Sequence, residues 1–504
     1  MTVNYATHIT HGIMLRSMDI RNWFKPTPAA APPTPAPPAS APLLSEEGMF
    51  DLRRTRLANG LRVWVKARPG TGTVVLLLQV PVGSRHETKA NNGISHFLEH
   101  MLFTGTARWS EEEVVEVIRR RGGESNARTA REDTVFWLHL KSEDLDLGLD
   151  WLSEVIFRPR LDEDKFDKER QVIIQEKGGE IGALEQVGDW IEDHGLGWNV
   201  FRAVRHRLYP KSSLLLPVIG VDGSLRRITY EQLVDHYHQH YLPNNMTLIA
   251  VGDIDADRLV EHAGQRLGGF AGGALPARPA TPPATTAGFD LRLRGPNVNE
   301  QGQILLGAPL PGLNHPDRWA LGVLADILNT SLTQDMRFRR GLVYGIDVYP
   351  AQYSDVGQFV VYTTADSSKF DEIIAEVERR LDEAGRGELE PNTVLEAKSA
   401  LRGRLLLGLE TNADLGWWLA EMSLFLPDQE PMPDMFAAVE AVTPADVARV
   451  AREYLSPARR YRAIHRPGVT PAALRGPAVL GAGLTLAGLG VWLARRGRPP
   501  KPGR

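Results

Sequence analysis

His96-Phe97-Leu98-Glu99-His100 places two imidazoles and a carboxylate within one helical turn. Residues four apart on a helix point the same way, so His96 and His100 can both reach one metal ion. Glu99 sits beside them, within reach of a water held by that ion. The order is the reverse of His-Glu-x-x-His, in which two helical histidines bind zinc and the glutamate serves as base. It points to metal-assisted hydrolysis of a peptide bond. A histidine pair at this spacing also fits a solvated surface pair, and a metal site therefore needs a further ligand elsewhere in the chain.

Catalytic zinc usually has three protein ligands and one open position. The segment Asp162 to Glu176 reads as a helix entered through acidic residues, with Asp162 at its N-cap. Glu169, Val172, Ile173 and Glu176 fall at i, i+3, i+4 and i+7, which predicts both carboxylates on the same face as two apolar core residues. A carboxylate on an inward face is costly unless it is paired or metal-bound. Glu176 is therefore assigned as third ligand. Glu169, two turns earlier, is assigned as the partner that orients a ligand imidazole.

The run Asn92 to Thr106, with its His-Phe-Leu-Glu-His centre and the spacing from His100 to Glu169 and Glu176, resembles the insulinase/pitrilysin family of inverted zinc metallopeptidases. Within it, the chain is most similar to the mitochondrial-processing-peptidase-like bacterial subfamily. Gly123 to Thr129 resembles the family's edge strand, which assigns Asn126 and Ala127 to substrate binding. Tyr241 to Leu248 resembles the stretch that closes the first domain. The likeness runs from about residue 50 to about residue 465. It implies an α+β fold: two homologous α/β-roll domains facing each other as a clamshell, with one Zn2+ per chain on one wall only. The family also places an arginine and a tyrosine, seven positions apart, on the second wall, near the developing oxyanion. Arg337 and Tyr344 in Met336-Arg337-Phe338-Arg339-Arg340-Gly341-Leu342-Val343-Tyr344 match that pattern. Phe338 stands where an acidic residue is common, and Asn329 to Thr333 lacks the family's glycine pair. Without the resemblance, this stretch reads as a basic turn around Gly341 with a packed tyrosine.

The chain has 504 residues, 42% of them hydrophobic, a net charge of −4 and no cysteine. The length implies more than one domain. The mixed charge gives no sign of nucleic-acid binding, and disulfides and thiolate ligands are excluded. Residues 1–45 form an N-terminal segment and a Pro/Ala-rich spacer. Residues 46–267 read as the catalytic domain, 268–288 as a Gly/Pro-rich linker and 289–468 as the second, metal-free domain. In the first, Leu57 to Val65 reads as a turn between strands, Thr73 to Pro81 as an apolar strand, and Ser110 to Arg121 as a helix with a Ser110/Glu113 capping box before Gly122. In the second, strands are expected at Gln303–Ala308, Gly345–Tyr349 and Gln358–Thr364. Helices are expected at Asp317–Leu328 and Phe370–Ala384.

Residues 476–494 carry no charge and, at about 1.5 Å per residue, come near the thickness of a bilayer core. They predict a C-terminal apolar, membrane-anchoring helix, followed by a basic tail at 495–504. Basic residues balance on its two sides, leaving orientation open. The first residues show no apolar signal core, so the catalytic domain is expected on the cytoplasmic side. Two functions fit: a zinc endopeptidase acting on peptides or unfolded precursor segments, or a non-catalytic, substrate-holding subunit. The intact set His96, Glu99, His100 and Glu176 favours the first. The resemblance implies a homodimer, or a heterodimer with an inactive relative.

Overall fold

The run Thr73–Val80 forms strand β3, and every residue after Thr73 is buried. A strand of near-continuous apolar sequence needs cover on both faces, and this requirement organises the molecule. β3 lies within a six-stranded sheet of order β1-β2-β6-β3-β5-β4. Its other members are Arg53–Arg56 (β1), Arg62–Ala67 (β2), Glu124–Thr129 (β4), Thr134–Lys141 (β5) and Thr247–Gly252 (β6). All neighbours are antiparallel except β2 and β6. The computed structural model describes residues 48, 50–177, 199–279, 281, 285–296, 301–426, 428 and 430–469.

One face of this sheet presents Val63, Leu76, Leu78, Phe136 and Leu248 to a core shared with helices α1 (Ile94–Leu102), α3 (Leu145–Phe157) and Ala256–Leu267. One residue along each strand, Trp64, Val75, Leu77, Val135 and Ile249 point the other way. Their cover comes from the second half of the chain. The helix Asn412–Ser423 brings Leu415, Trp418, Leu419 and Met422 into the same core. Gly416 lies at the crossing, where a Cβ would stand 2.7 Å from Leu77 Cδ1.

The exchange is reciprocal. A second, five-stranded sheet of order β7-β11-β8-β10-β9 comprises Asp290–Pro296, Tyr461–Val469, Gln301–Pro311, Val356–Asp366 and Ile346–Gln352, in that order. Helices Arg318–Leu332 and Phe370–Arg386 cover one face. On the other, Leu305, Val360, Tyr461 and Ala463 meet Val200, Val204 and Leu208 of the helix Val200–Leu208 from the first half. A buried polar hub ties the halves further. Arg85, 2% exposed, bonds Glu132 Oε1 at 2.5 Å and also pairs with Asp355. Glu132 accepts from the Ser354 backbone N–H at 2.9 Å.

Several expectations are met by these elements. Helix α2 (Glu111–Arg119) carries the Ser110/Glu113 capping box, and Gly122 takes φ +75° just beyond it. The second half opens with β7, a strand not anticipated. The helix expected to end near Leu328 runs to Leu332 and widens into a π-helical turn over Thr333–Arg339. Helix α4 spans Glu163–Glu176, with three differences, the first being that Glu176, expected on the inward face with Glu169, is exposed while Glu169 is buried. Asp162 precedes it without a side-chain capping bond and pairs with Arg160 at 3.2 Å. Val172 is 39% exposed, because the buried stripe is Phe166, Ile173 and Ile174 and adjacent helical residues diverge by about 100°. Among the described residues no helix is long and apolar enough to cross a membrane. The expected helix at 476–494, the spacer at 1–45 and the tail at 495–504 lie outside them.

Replacing Leu77 by alanine removes a fully buried side chain from the shared core. It should lower unfolding stability by about 2–5 kcal/mol, read as a lower urea midpoint. An unchanged midpoint would mean that the exchanged helix does not hold the sheet.

Candidate metal centre

Helix α1 buries Ile94, Phe97, Leu98, Met101 and Leu102. That leaves His96, Glu99 and His100 on the opposite side, half-buried. The helix is fixed at its N-terminus by a device that the sequence reading missed. Glu87, buried, accepts from Gly93 N–H at 2.8 Å, Ser95 N–H at 3.0 Å and the Asn92 amide at 2.8 Å. A carboxylate there satisfies the free N–H groups and complements the helix dipole. Gly93 begins the helix at φ +97°, against Gly220, where a side chain on either would collide with the other's backbone. The clue in the sequence was an acidic residue a few positions before a helix that opens with glycine.

α4 packs against α1 through stacked Phe97 and Phe166 rings, 4.6 Å apart, and this contact brings Glu169 and Glu176 to the histidines. Ligand atoms of His96, His100 and Glu176 lie within 4.8 Å of one another. Glu176 Oε2 is 3.4 Å from His100 Nε2 and 3.8 Å from His96 Nε2. Tetrahedral coordination at about 2.0–2.1 Å separates ligand atoms by a little over 3 Å, so the trio fits a divalent ion with small movements. Glu169, 8% exposed, stands 3.6 Å from His100 Nδ1, the ring nitrogen facing away from Glu176. This is the orienting position assigned to it.

The electrostatics ask for a cation. Burial disfavours a charged His100 ring, yet the Glu169 and Glu176 carboxylates outweigh it and push the group up to about 9. Contact with His100 in turn holds Glu176 below the usual carboxylate range. Burial keeps His96 low, despite Glu99 and Glu176 nearby.

Glu99 accepts a hydrogen bond from Thr129 Oγ1 at 2.5 Å. Thr129 ends β4, the edge strand of the first sheet, and sequence reasoning did not single it out. Asn126 is exposed on that strand, its Oδ1 accepting from Ala127 N–H at 2.8 Å. Arg337 and Tyr344 are not joined to this group. The Arg337 guanidinium stacks on the Tyr344 ring at 5.2 Å and the Phe338 ring at 5.1 Å. Among the described residues no hydrogen bond, ion pair or ring contact links that stack to His96, His100 or Glu176.

Residues 62–185 match the family model described as Insulinase (Peptidase family M16), and residues 227–401 match the one described as Peptidase M16 inactive domain. An uncharacterized zinc protease of Streptomyces coelicolor is 31% identical over 423 residues, covering 81% of this chain and 88% of that protein. The chain belongs to the insulinase family. The mitochondrial-processing peptidase subunit beta of Blastocladiella emersonii is 27% identical, over 80% of this chain and 85% of its own. The crystal structure of a protease from Helicobacter pylori superposes with a TM-score of 0.71 at 22% identity, covering 82% of this chain and 99% of that one. The expected two-domain α+β fold is the fold of these structures. Among the described residues the ligand trio lies in the first domain alone.

A proton on His100 must leave when a metal binds. Zinc uptake by metal-free protein at pH 7 should therefore release about one proton from this group, read as the buffer dependence of the calorimetric enthalpy. Glu169→Gln should weaken zinc by about 10–100-fold.

Behind α1, His236 Nε2 lies 3.3 Å from Ser95 Oγ. Burial lowers His236 and His86 from 6.5 to about 3. Below pH 6.5 the unfolded chain takes up protons that these rings refuse. Stability is therefore lost as pH falls from about 6.5 toward about 3, by about 1.4 kcal/mol per unit for each ring. In urea titrations at pH 7 and 5, His236→Leu should shrink that loss, and an equal loss in both proteins would contradict it.

Proposed function

We propose that the chain is a zinc-dependent endopeptidase that cleaves peptides or unfolded segments of precursor proteins. The observation that carries this reading is the convergence of His96, His100 and Glu176 within 4.8 Å, with Glu99 projecting from the same turn. Two imidazoles and a carboxylate are the donor set that suits zinc in a hydrolytic site. When bound, zinc supplies Lewis acidity toward the scissile carbonyl and acidifies water.

The remaining work belongs to the chain's own side chains. Glu99 takes a proton from the attacking water and returns it to the leaving amine. The Thr129 hydroxyl fixes one oxygen of Glu99 and leaves the other to face the substrate. An extended peptide adds to the free edge of β4 beside Asn126 and Ala127, the usual mode of strand addition. Thr129 joins these two events, since the strand that would hold the substrate also orients the base. Arg337 and Tyr344 would serve the substrate from the second domain. Their support is the matching family pattern, together with the 69% exposure of Tyr344.

The relative from Blastocladiella is named as a subunit. This supports a second polypeptide beside the chain, either another copy or an inactive relative. It also keeps open a substrate-holding role, for which loss of Glu99 would be immaterial.

The test is cleavage of a quenched peptide library by zinc-loaded protein. Glu99→Gln should keep its zinc and lose about 10²–10⁴-fold in activity. Thr129→Val should lose about tenfold in kcat with zinc content unchanged. Full zinc without activity in the parent, alone and with a partner chain, would favour the holding role.

A further inference from the structure

A cavity of about 300 Å³ opens at the seam of the two halves, and none of His96, His100 and Glu176 lines it. Its walls come from the start of β2, the segment after β3, the end of the helix Tyr230–His240, the joining segment Leu275–Arg278 and the turn Ser423–Leu426. Every titratable side chain lining it is basic: Arg62, His86, His240 and Arg278.

The imidazoles mark it as a built site. His240 is 7% exposed and lines the cavity, touching the rings of His86 and His236 at centroid distances of 6.0 and 4.6 Å. Neither of its ring nitrogens has a hydrogen-bond partner among the described residues. His86 Nδ1 accepts from Gly83 N–H at 3.3 Å. That bond places the ring proton on Nε2, which has no partner. These nitrogens are not sealed from solvent, so they stay available to a ligand that enters the cavity.

The two arginines are committed to the wall. Arg62 donates to Ser423 O and Arg278 to Leu424 O, both at 2.9 Å. Arg62 also lies 3.7 Å from Asp428, and Arg278 lies 3.2 Å from Glu132. Their carboxylate partners stand outside the lining, so the cavity wall itself carries cations and no anion. Apart from Asn245 and Ser423, the rest of the lining is apolar, including Val82, Pro276 and Phe425, with Leu275 half out at the mouth. At about 30 Å³ per water, the volume suits a ligand of about ten non-hydrogen atoms.

We propose that this seam cavity binds a small organic carboxylate with an apolar body, its oxygens accepting from His86 Nε2–H and the His240 ring. Such a ligand touches both halves and the segment that joins them. It would favour the arrangement seen here over any in which the halves part.

The probes are benzoate and hexanoate, with benzamide and hexanamide as uncharged controls, titrated calorimetrically into the full chain. Both carboxylates should bind at least about tenfold tighter than their amides. His240→Leu should weaken them by a similar factor. Leu275→Trp, at the exposed mouth, should do the same without disturbing the buried wall, which keeps the test valid if His240→Leu misfolds. Carboxylates also ligate zinc, so each titration is repeated on metal-free protein, where the binding should persist. Binding seen only with zinc present, equal affinity for acid and amide, or no binding at millimolar concentration would each overturn the proposal.

Discussion

Both faces of the central strand β3 are apolar, and neither half of the chain can cover them alone. This constraint makes the molecule one unit. Helix Asn412–Ser423 crosses to the first sheet, and helix Val200–Leu208 crosses to the second. Neither sheet has a complete core without the other half's helix. The crossing also sets the site's surroundings. The turn between β4 and β5 carries Glu132, which the buried Arg85 ties to Ser354 and Asp355 of the second domain. The strand leading into that turn holds Asn126, Ala127 and Thr129.

On this frame the metal site is a problem in electrostatics. Two imidazoles and three carboxylates meet between α1 and α4, and among the described residues only one neutral donor, Thr129, serves Glu99. Without a cation the cluster recruits a proton, which is why His100 is held so high. A divalent ion bound there would replace that proton and be shared by three ligands. Glu87 performs the complementary task at the other end of α1, where its buried charge meets helix N–H groups. The two ends together fix the direction of His96 and His100 before any metal arrives.

How much of this could be read in the sequence depends on the range of the interaction. The i, i+4 pair on α1 and the i, i+7 carboxylates on α4 are local, and their faces followed from helical period alone. The same counting failed for Val172, since the spacing alone does not say which of two adjacent apolar residues lies at the centre of the stripe. The apolar run from Thr73 to Pro81 announced a strand. It could not announce which distant helix would cover it. Thr129 and the His86–His240 cavity were invisible for the same reason, because each acquires meaning only from residues far away in the chain, whereas the partners of Glu87 lie close by in sequence and its role was legible there. Arg337 and Tyr344 show the reverse case. A pattern carried over from the family located them, and the structure shows a stack of their own, with no link to the ligands among the described residues.

The proposed chemistry depends on one zinc ion held between α1 and α4. Zinc K-edge X-ray absorption of the stoichiometrically loaded protein addresses it directly. The account predicts four-coordinate zinc with two imidazoles, a carboxylate oxygen and one exchangeable light ligand, at about 2.0–2.2 Å, and a changed spectrum in Glu176→Gln. Three or more imidazoles around the metal, or a spectrum indifferent to Glu176, would contradict it.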